Sequence, residues 1–78
     1  MNHPKKFLVI VDGDKYEWDK DTITGAELRA LAGIPDSAQI FLHVPGQPDK
    51  EIFKETVVEL KHDHPTKFST QSPGSQAG

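Results

Sequence analysis

The first part of the chain combines a continuous apolar run with a strictly alternating segment. Residues 5–11 contain five consecutive apolar residues, several of them β-branched, and the Asp-Gly-Asp sequence at 12–14 is a strong turn signal. In residues 15–19, charged residues alternate with Tyr16 and Trp18, so the two aromatic side chains share one face of a strand. This pattern predicts a β-hairpin with Tyr16 and Trp18 directed toward the core.

A capping box predicts that a helix starts at Thr24. In this motif the threonine hydroxyl and the carboxylate of Glu27 each accept a hydrogen bond from the other residue's backbone amide. Gly33 supplies a left-handed C-terminal stop, so the helix should have about nine residues. Three apolar residues form a stripe that needs a sheet beneath it: Leu28, Leu31 and Ala32.

Residues 39–44 predict a strand after the helix, closed by a segment rich in proline and glycine. Because side chains alternate across a strand, Phe41 and His43 should lie on one face. The opposite face should carry the core residues Ile40, Leu42 and Val44.

The later segments are shorter. Residues 52–53 indicate an edge element, residues 57–60 a compact turn or short strand, and residues 66–70 a final strand anchored by Phe68. This order matches an α+β β-grasp, with a mixed sheet of four to five strands and one helix across one face. In that fold the first and last strands pair in parallel at the centre of the sheet.

Length and composition exclude several function classes. With 78 residues and no cysteine, the chain has room for one core and has no disulfide, thiolate metal site or thiol nucleophile. Its net charge is −3 and its basic residues are scattered, so no nucleic-acid interface is expected. The apolar run at 7–11 is far shorter than the roughly 18 residues that cross a bilayer. We therefore expect a cytoplasmic protein that does not bind membranes and is monomeric when free.

The C-terminal segment has no residue larger than glutamine. We expect a flexible N-terminus at 1–4, one domain at 5–70 and a flexible tail at 71–78. Gly78 has no Cβ, which leaves its carboxylate open to approach. Small-residue termini also occur without any function, and the tail alone does not decide between the two interpretations. Four further residues, none larger than glutamine, are expected to enter a narrow channel at a partner's active site: Gly74, Ser75, Gln76 and Ala77.

Four segments together carry a family resemblance. They are residues 11–16 (Val-Asp-Gly-Asp-Lys-Tyr), 22–28 (Thr-Ile-Thr-Gly-Ala-Glu-Leu), 31–34 (Leu-Ala-Gly-Ile) and 67–70 (Lys-Phe-Ser-Thr). Over about residues 5–70 the chain resembles the bacterial multiubiquitin-domain family, whose members are ubiquitin-like. The Thr-Gly helix start combined with the Leu-Ala-Gly-Ile helix stop is the most specific element of the resemblance.

The resemblance implies a protein modifier rather than an enzyme. Similar domains are encoded beside activating, conjugating and protease-like enzymes in bacterial operons. By that resemblance, an activating enzyme would use ATP to adenylate the carboxylate of Gly78, and a conjugating enzyme would pass it to an amine or hydroxyl of a target protein. A deconjugating protease would reverse the attachment. The chain itself would need no cofactor and would contribute no catalytic residue.

Partner enzymes must also bind the folded domain. A helix covers one face of the sheet and leaves the other face open. The first strand is apolar on both sides, so the exposed set is either Leu8 and Ile10 or the alternative set Phe7, Val9 and Val11. Joined by Phe41 and His43, these residues predict a partner-binding patch that resembles in position the apolar patch by which ubiquitin is recognised. Scattered surface apolar residues are the competing interpretation.

Two other clusters of polar residues have simpler interpretations. The His-Asp-His sequence at 62–64 invites a metal site, but its loop context favours a solvated turn and no metal is expected. Asp19 and Asp21 should lie in a turn while Glu27 caps the helix, so these carboxylates are not expected to form a catalytic pair.

Two other functions compete with the modifier. The first is a binding module that is never conjugated and that docks a partner through its sheet face or an open edge. The second is a sulfur carrier whose terminal glycine becomes a thiocarboxylate. The long tail containing serine, glutamine and proline argues mildly against the sulfur carrier.

Overall fold

The computed structural model describes residues 6–72 of the chain. Its strands and its helix follow in this order: β1 (Phe7–Val11), β2 (Asp14–Trp18), β3 (Thr22–Thr24), α1 (Gly25–Ala32), β4 (Gln39–Leu42), β5 (Lys50–Ile52), β6 (Val57–Glu59) and β7 (Thr66–Gln71). Within residues 6–72, no helix has the length and apolar content needed to span a bilayer.

Five of the strands form one mixed sheet in the order β2-β1-β7-β4-β5. β1 and β7 are parallel and the other three pairings are antiparallel. The central place of β7, the last strand, confirms the predicted parallel pairing of the first and last strands. With α1 packed across one face, the architecture is the predicted α+β ubiquitin-like β-grasp.

The first hairpin has the predicted turn. Asp12 has a φ of 51°, and Gly13, which follows it, also has a positive φ. Tyr16 and Trp18 are half-buried and pack against the core, as predicted. The indole Nε1 of Trp18 donates to the carbonyl of Thr22 at 2.8 Å, so the polar atom of this large side chain is satisfied.

The capping box of α1 is present as predicted. The amide of Glu27 donates to Oγ1 of Thr24 at 3.1 Å, and the amide of Thr24 donates to Oε1 of Glu27 at 2.9 Å. The next two amides, of Gly25 and Ala26, donate to the carbonyls of Thr56 and Lys54. The turn between β5 and β6 therefore completes the cap from a distant part of the chain.

The close approach of this turn explains why position 25 is glycine. A Cβ on Gly25 would lie 2.0 Å from the carbonyl oxygen of Phe53, which no packing arrangement tolerates. At the other end of the helix, Gly33 has a φ of 68° and supplies the predicted left-handed stop. The helix has eight residues, close to the predicted length.

The core lies between α1 and the sheet. Leu28, from the helix, is fully buried together with residues from both sheets. The buried cluster contains Phe7, Val9, Val11, Ile23, Leu28, Ile40, Ile52, Val58, Leu60 and Phe68. Phe68 is the apolar anchor predicted for the last strand.

The structure differs from the sequence prediction in four places. The edge strand β5 spans Lys50–Ile52 rather than residues 52–53. β3 pairs with β6 in a separate two-stranded sheet, whereas the sequence analysis placed no strand between the hairpin and the helix. β4 ends at Leu42 rather than at residue 44, although the amide of His43 still donates to the carbonyl of Lys67 at 2.9 Å. β7 continues to Gln71, one residue into the predicted tail, because Gln71 pairs with Gln39.

Candidate functional site

The predicted reactive end of the chain lies beyond the described residues. Gly78 and the four predicted channel residues, Gly74, Ser75, Gln76 and Ala77, fall outside residues 6–72. The structure does describe the point from which they depart. β7 runs between β1 and β4 and ends at Gln71, so the chain leaves the domain from the middle of the sheet.

Asp12 fastens the end of β7 to the first hairpin. Its Oδ1 accepts a hydrogen bond from the amide of Thr70 at 3.0 Å, and its Oδ2 accepts one from the Thr70 hydroxyl. Its own amide donates to the carbonyl of Phe68 at 3.0 Å. Three hydrogen bonds therefore hold the last residues of β7 against a turn that lies 58 positions earlier in the sequence.

The predicted partner-binding residues of β1 lie on the face opposite the core. Val9 and Val11 are buried with Phe7, so the alternative exposed set is excluded. Leu8 and Ile10 are half-buried and point away from that core. The residues directly opposite them on β2 are Glu17 and Lys15, respectively, so charged side chains border these two apolar residues.

The other two predicted residues lie across the central strand. Phe41 is half-buried on the outer face of β4, opposite Ser69 of β7. His43 follows the end of β4 and is exposed, with its Nδ1 3.3 Å from Oδ1 of Asp49. All four predicted residues therefore belong to one side of the sheet, but β7 separates Leu8 and Ile10 from Phe41 and His43.

The polar face of β7 occupies the middle of this surface. Lys67 is directly beside Ile10 in the parallel pairing, and Ser69 is directly beside Phe41 in the antiparallel pairing. Both side chains are exposed. The outer face is thus two apolar groups with a polar stripe between them.

The exposed apolar residues Phe53 and Val57 were not singled out from the sequence. Phe53 is 56% exposed and Val57 is 61% exposed, and they flank the turn that caps α1. Alternation gives a partial signal for Val57, because Val57 and Val58 are neighbours in a strand and only one of them can face the core. For Phe53 the sequence offers no such signal, since its neighbours Ile52 and Lys54 are compatible with either orientation.

In the His-Asp-His segment at 62–64, all three residues are exposed. His62 contacts the ring of Phe7, with the ring centroids 3.9 Å apart, and His64 is 3.6 Å from its neighbour Asp63. Over residues 6–72, no group of three or more histidine or carboxylate side chains has an arrangement that could hold a metal ion. Both carboxylate oxygens of Glu27 have partners. Oε1 accepts from the amide of Thr24, and Oε2 lies 3.2 Å from Nζ of Lys20.

The electrostatics of Glu27 follow from this arrangement. Its hydrogen bond from the backbone of Thr24 lowers the pKa of its carboxyl group below the ordinary value, and the hydrogen bond from Lys20 lowers it further. A lowered pKa here marks a structural cap, since the carboxylate oxygens already have partners.

Comparison with known protein families agrees with the β-grasp fold. Residues 7–72 match the family described as Multiubiquitin, which covers the whole of the sheet and the helix. No curated protein matches the chain, and no solved structure matches it. With a β-grasp that has its last strand at the centre and a family match over most of its length, the chain belongs to the multiubiquitin family of ubiquitin-like proteins.

Proposed function

We propose that this chain is a protein modifier that is attached to other proteins through the carboxylate of Gly78. A separate activating enzyme would supply the ATP chemistry, a conjugating enzyme would carry out the transfer, and a protease would remove the modifier again. The observation that carries the proposal is the family match over residues 7–72. The attachment takes place in the cytoplasm, where the activating enzyme finds its ATP.

The chemistry requires only the terminal carboxylate from this chain. A carboxylate oxygen of Gly78 attacks the α-phosphorus of ATP, and pyrophosphate leaves. A nucleophilic side chain of the enzyme then attacks the acyl carbon, and AMP leaves. Finally an amine or hydroxyl of the target attacks the same carbon, loses its proton and releases the enzyme nucleophile. Glycine suits each attack because no Cβ obstructs the carbonyl carbon.

The fold supports this proposal through the exit of β7. Hydrogen bonds on both sides, to β1 and β4, fix the direction in which the chain leaves the domain. Residues 73–78 can span at most about 22 Å when fully extended. A partner that binds the domain therefore brings Gly78 within a short and bounded distance of its own reactive group, which raises the effective concentration of the carboxylate.

The outer face of the sheet supplies the contact surface in this proposal. Leu8, Ile10 and Phe41 offer apolar contact area on the side that α1 does not cover. Lys67 and Ser69 between them offer polar contacts that can set the orientation of a bound enzyme. His43 lies at the border of this surface, beside Asp49.

The proposal is tested by looking for adducts in the cell that makes the protein. The chain is expressed with an N-terminal tag, purified under denaturing conditions and examined by intact-mass and peptide mass spectrometry. We expect target proteins that are heavier by the tagged chain minus one water, with the bond at Gly78. Deletion of Gly78 should abolish the adducts, while the control Glu55→Ala, which changes an exposed residue of the turn between β5 and β6, should retain them.

The same measurement separates the competing functions. Absence of adducts under conditions in which the activating enzyme is shown to form an adenylate with the chain would overturn the modifier proposal. A terminal mass gain equal to the replacement of one oxygen by sulfur would identify a sulfur carrier instead. Partner binding that is unchanged by deletion of Gly78, without any adduct, would identify a binding module.

The contact surface has its own matched pair of variants. Phe41→Ala should lower the yield of adducts because it removes apolar area from the outer face. Phe53→Ala removes the same side chain from an exposed position elsewhere and should leave the yield unchanged. Equal yields from the two variants would show that the outer face is not the surface the enzymes bind.

A further inference from the structure

A cavity opens at the end of the domain where β7 begins. Its volume is about 490 Å³, and segments 42–45, 58–61 and 64–67 line it. Most of its wall is apolar, built from Leu42, Val44, Pro45, Val58 and Pro65. A cavity of this size and lining is suited to an apolar side chain or a small apolar group.

The rim of the cavity carries positive charge. Lys61 and Lys67 both line it, both are exposed, and within residues 6–72 neither is part of an ion pair. Glu59 is the carboxylate among the lining residues. The lining lysines thus exceed the lining carboxylates by one charge, and the two lining histidines, His43 and His64, lie beside Asp49 and Asp63.

We propose that the cavity binds an acidic peptide segment of a partner protein. A large apolar side chain of the segment occupies the cavity, and carboxylates on either side of it pair with Lys61 and Lys67. Charge complementarity selects an acidic partner, since ammonium groups at the rim attract carboxylates and repel basic segments. The apolar wall selects a peptide with an aliphatic or aromatic side chain rather than a purely polar one.

The position of the cavity keeps it separate from the end of β7. Thr66 lines the cavity and Gln71 ends the strand, so the two points are roughly 17 Å apart along a strand that rises about 3.3 Å per residue. A peptide in the cavity therefore leaves the exit of the chain uncovered. Binding there does not rest on the proposed conjugation and can be measured on the purified chain alone.

The test uses a defined probe peptide. The probe is a short, acetylated and amidated peptide in which one leucine is flanked on both sides by aspartates. It is titrated into the isotope-labelled chain, and the backbone amide shifts are followed by NMR. We expect saturable shifts concentrated in residues 42–45 and 58–67. Replacing the leucine of the probe by serine, or its aspartates by lysines, should weaken binding about tenfold or more.

Charge-reversal variants test the rim without disturbing the core. The double variant K61E/K67E should weaken binding of the probe about tenfold or more. The control K20E/K54E has the same net charge and changes two exposed lysines whose partners, Glu27 and Asp36, do not line the cavity, so it should bind within about twofold of the unchanged chain. Circular dichroism of both variants checks that the fold is retained.

Three results would overturn the proposal. One is the absence of localised shifts at saturating probe. Another is an equal loss of binding in the two double variants, which would reduce the effect to overall charge. The third is a shift of the same residues on raising the protein concentration without probe, which would make a second copy of the chain the occupant.

Discussion

Asp12 and Thr70 are joined by two hydrogen bonds, one from the backbone amide and one from the hydroxyl of Thr70, although 58 positions separate them in the sequence. Asp12 accepts both bonds from a left-handed backbone conformation, with a φ of 51°. Aspartate and asparagine are the side chains that adopt this conformation most readily after glycine. The residue is thus suited both to the hairpin turn and to holding the end of β7.

Replacing Asp12 by alanine should loosen the end of β7. Asp12→Ala removes both acceptors and strains the turn, so it should lower the free energy of unfolding by about 1–3 kcal/mol. Amide exchange at Thr70 should accelerate more than exchange at Phe68, whose amide is in the middle of the strand. Both are measured by chemical denaturation and hydrogen exchange followed by NMR.

Two controls separate the hydrogen bonds from the backbone strain. Asp12→Asn keeps an acceptor oxygen and the tolerance for positive φ, so it should cost less than Asp12→Ala. Asp14→Ala changes an exposed aspartate next to the turn and should have little effect on Thr70. If Asp14→Ala accelerated exchange at Thr70 as much as Asp12→Ala, the assigned role of Asp12 would be wrong.

At Gly25, replacement by alanine should lower the free energy of unfolding, the opposite of what helix propensity alone predicts. Glycine to alanine inside a helix normally stabilises it by up to about 1 kcal/mol. Here the new Cβ would meet the carbonyl oxygen of Phe53, so G25A should destabilise the domain by about 2–3 kcal/mol. The measurement is equilibrium denaturation in urea.

The helix itself supplies the control for this measurement. Ala30 is exposed on α1, and Ala30→Gly should destabilise by about 1 kcal/mol through propensity alone. A G25A chain as stable as the unchanged one would mean that the turn after β5 does not press on the start of the helix.

The contribution of the helix cap to stability should depend on pH through the carboxyl group of Glu27. Its pKa is lowered in the folded chain, first by the hydrogen bond from the Thr24 backbone and then by the hydrogen bond from Lys20. A group with a folded pKa below its unfolded value contributes stability that is fully present above the unfolded value. That contribution is lost as the pH falls through the folded pKa, so it should disappear under acidic conditions, below the ordinary value of 4.5.

The test compares the chain with Glu27→Gln across this pH range. Glutamine can still accept the bond from the Thr24 amide in a capping box, but it does not titrate. The difference in unfolding free energy between the two proteins should therefore shrink as the pH falls. A difference that stays constant down to the most acidic conditions would contradict the lowered pKa, which NMR titration of the Glu27 carboxyl measures directly.

The core and the exposed apolar residues should respond very differently to truncation. Leu28 is fully buried between α1 and the sheet, so Leu28→Ala should cost about 2–5 kcal/mol. Val57 is 61% exposed, and Val57→Ala should change stability by about 0.5 kcal/mol or less. Thermal unfolding of the two variants is sufficient to distinguish them. A large effect of Val57→Ala would indicate that Val57 is buried in solution.

The features that neighbouring residues determine could be predicted from the sequence. The capping box needs only Thr24 and Glu27, and the stop needs only Gly33, so the helix was predictable almost to the residue. The first hairpin depends on the turn at 12–14 and on the alternation that follows it. The choice of Leu8 and Ile10 as the outer residues of β1 required the structure, because both faces of that strand are apolar.

The features that distant residues determine could not be predicted in the same way. β3 is only three residues long, and its partner strand lies far away in the sequence, since Ile23 pairs with Val58. No local sequence pattern therefore predicts it. The bonds between Asp12 and Thr70 depend on how two strands are placed in the sheet. The division of the outer face by Lys67 and Ser69 likewise follows from β7 lying between β1 and β4.

The central place of β7 also makes the order of synthesis matter. A chain that stops before residue 66 lacks the strand between β1 and β4, so two inner edges of the sheet are left unpaired and the core has no Phe68. Such a fragment cannot complete the five-stranded sheet or the core. Any chain that contains residues after Gln71 therefore also contains β7 and can complete the fold. A chain without β7 lacks both the folded domain and the C-terminal end.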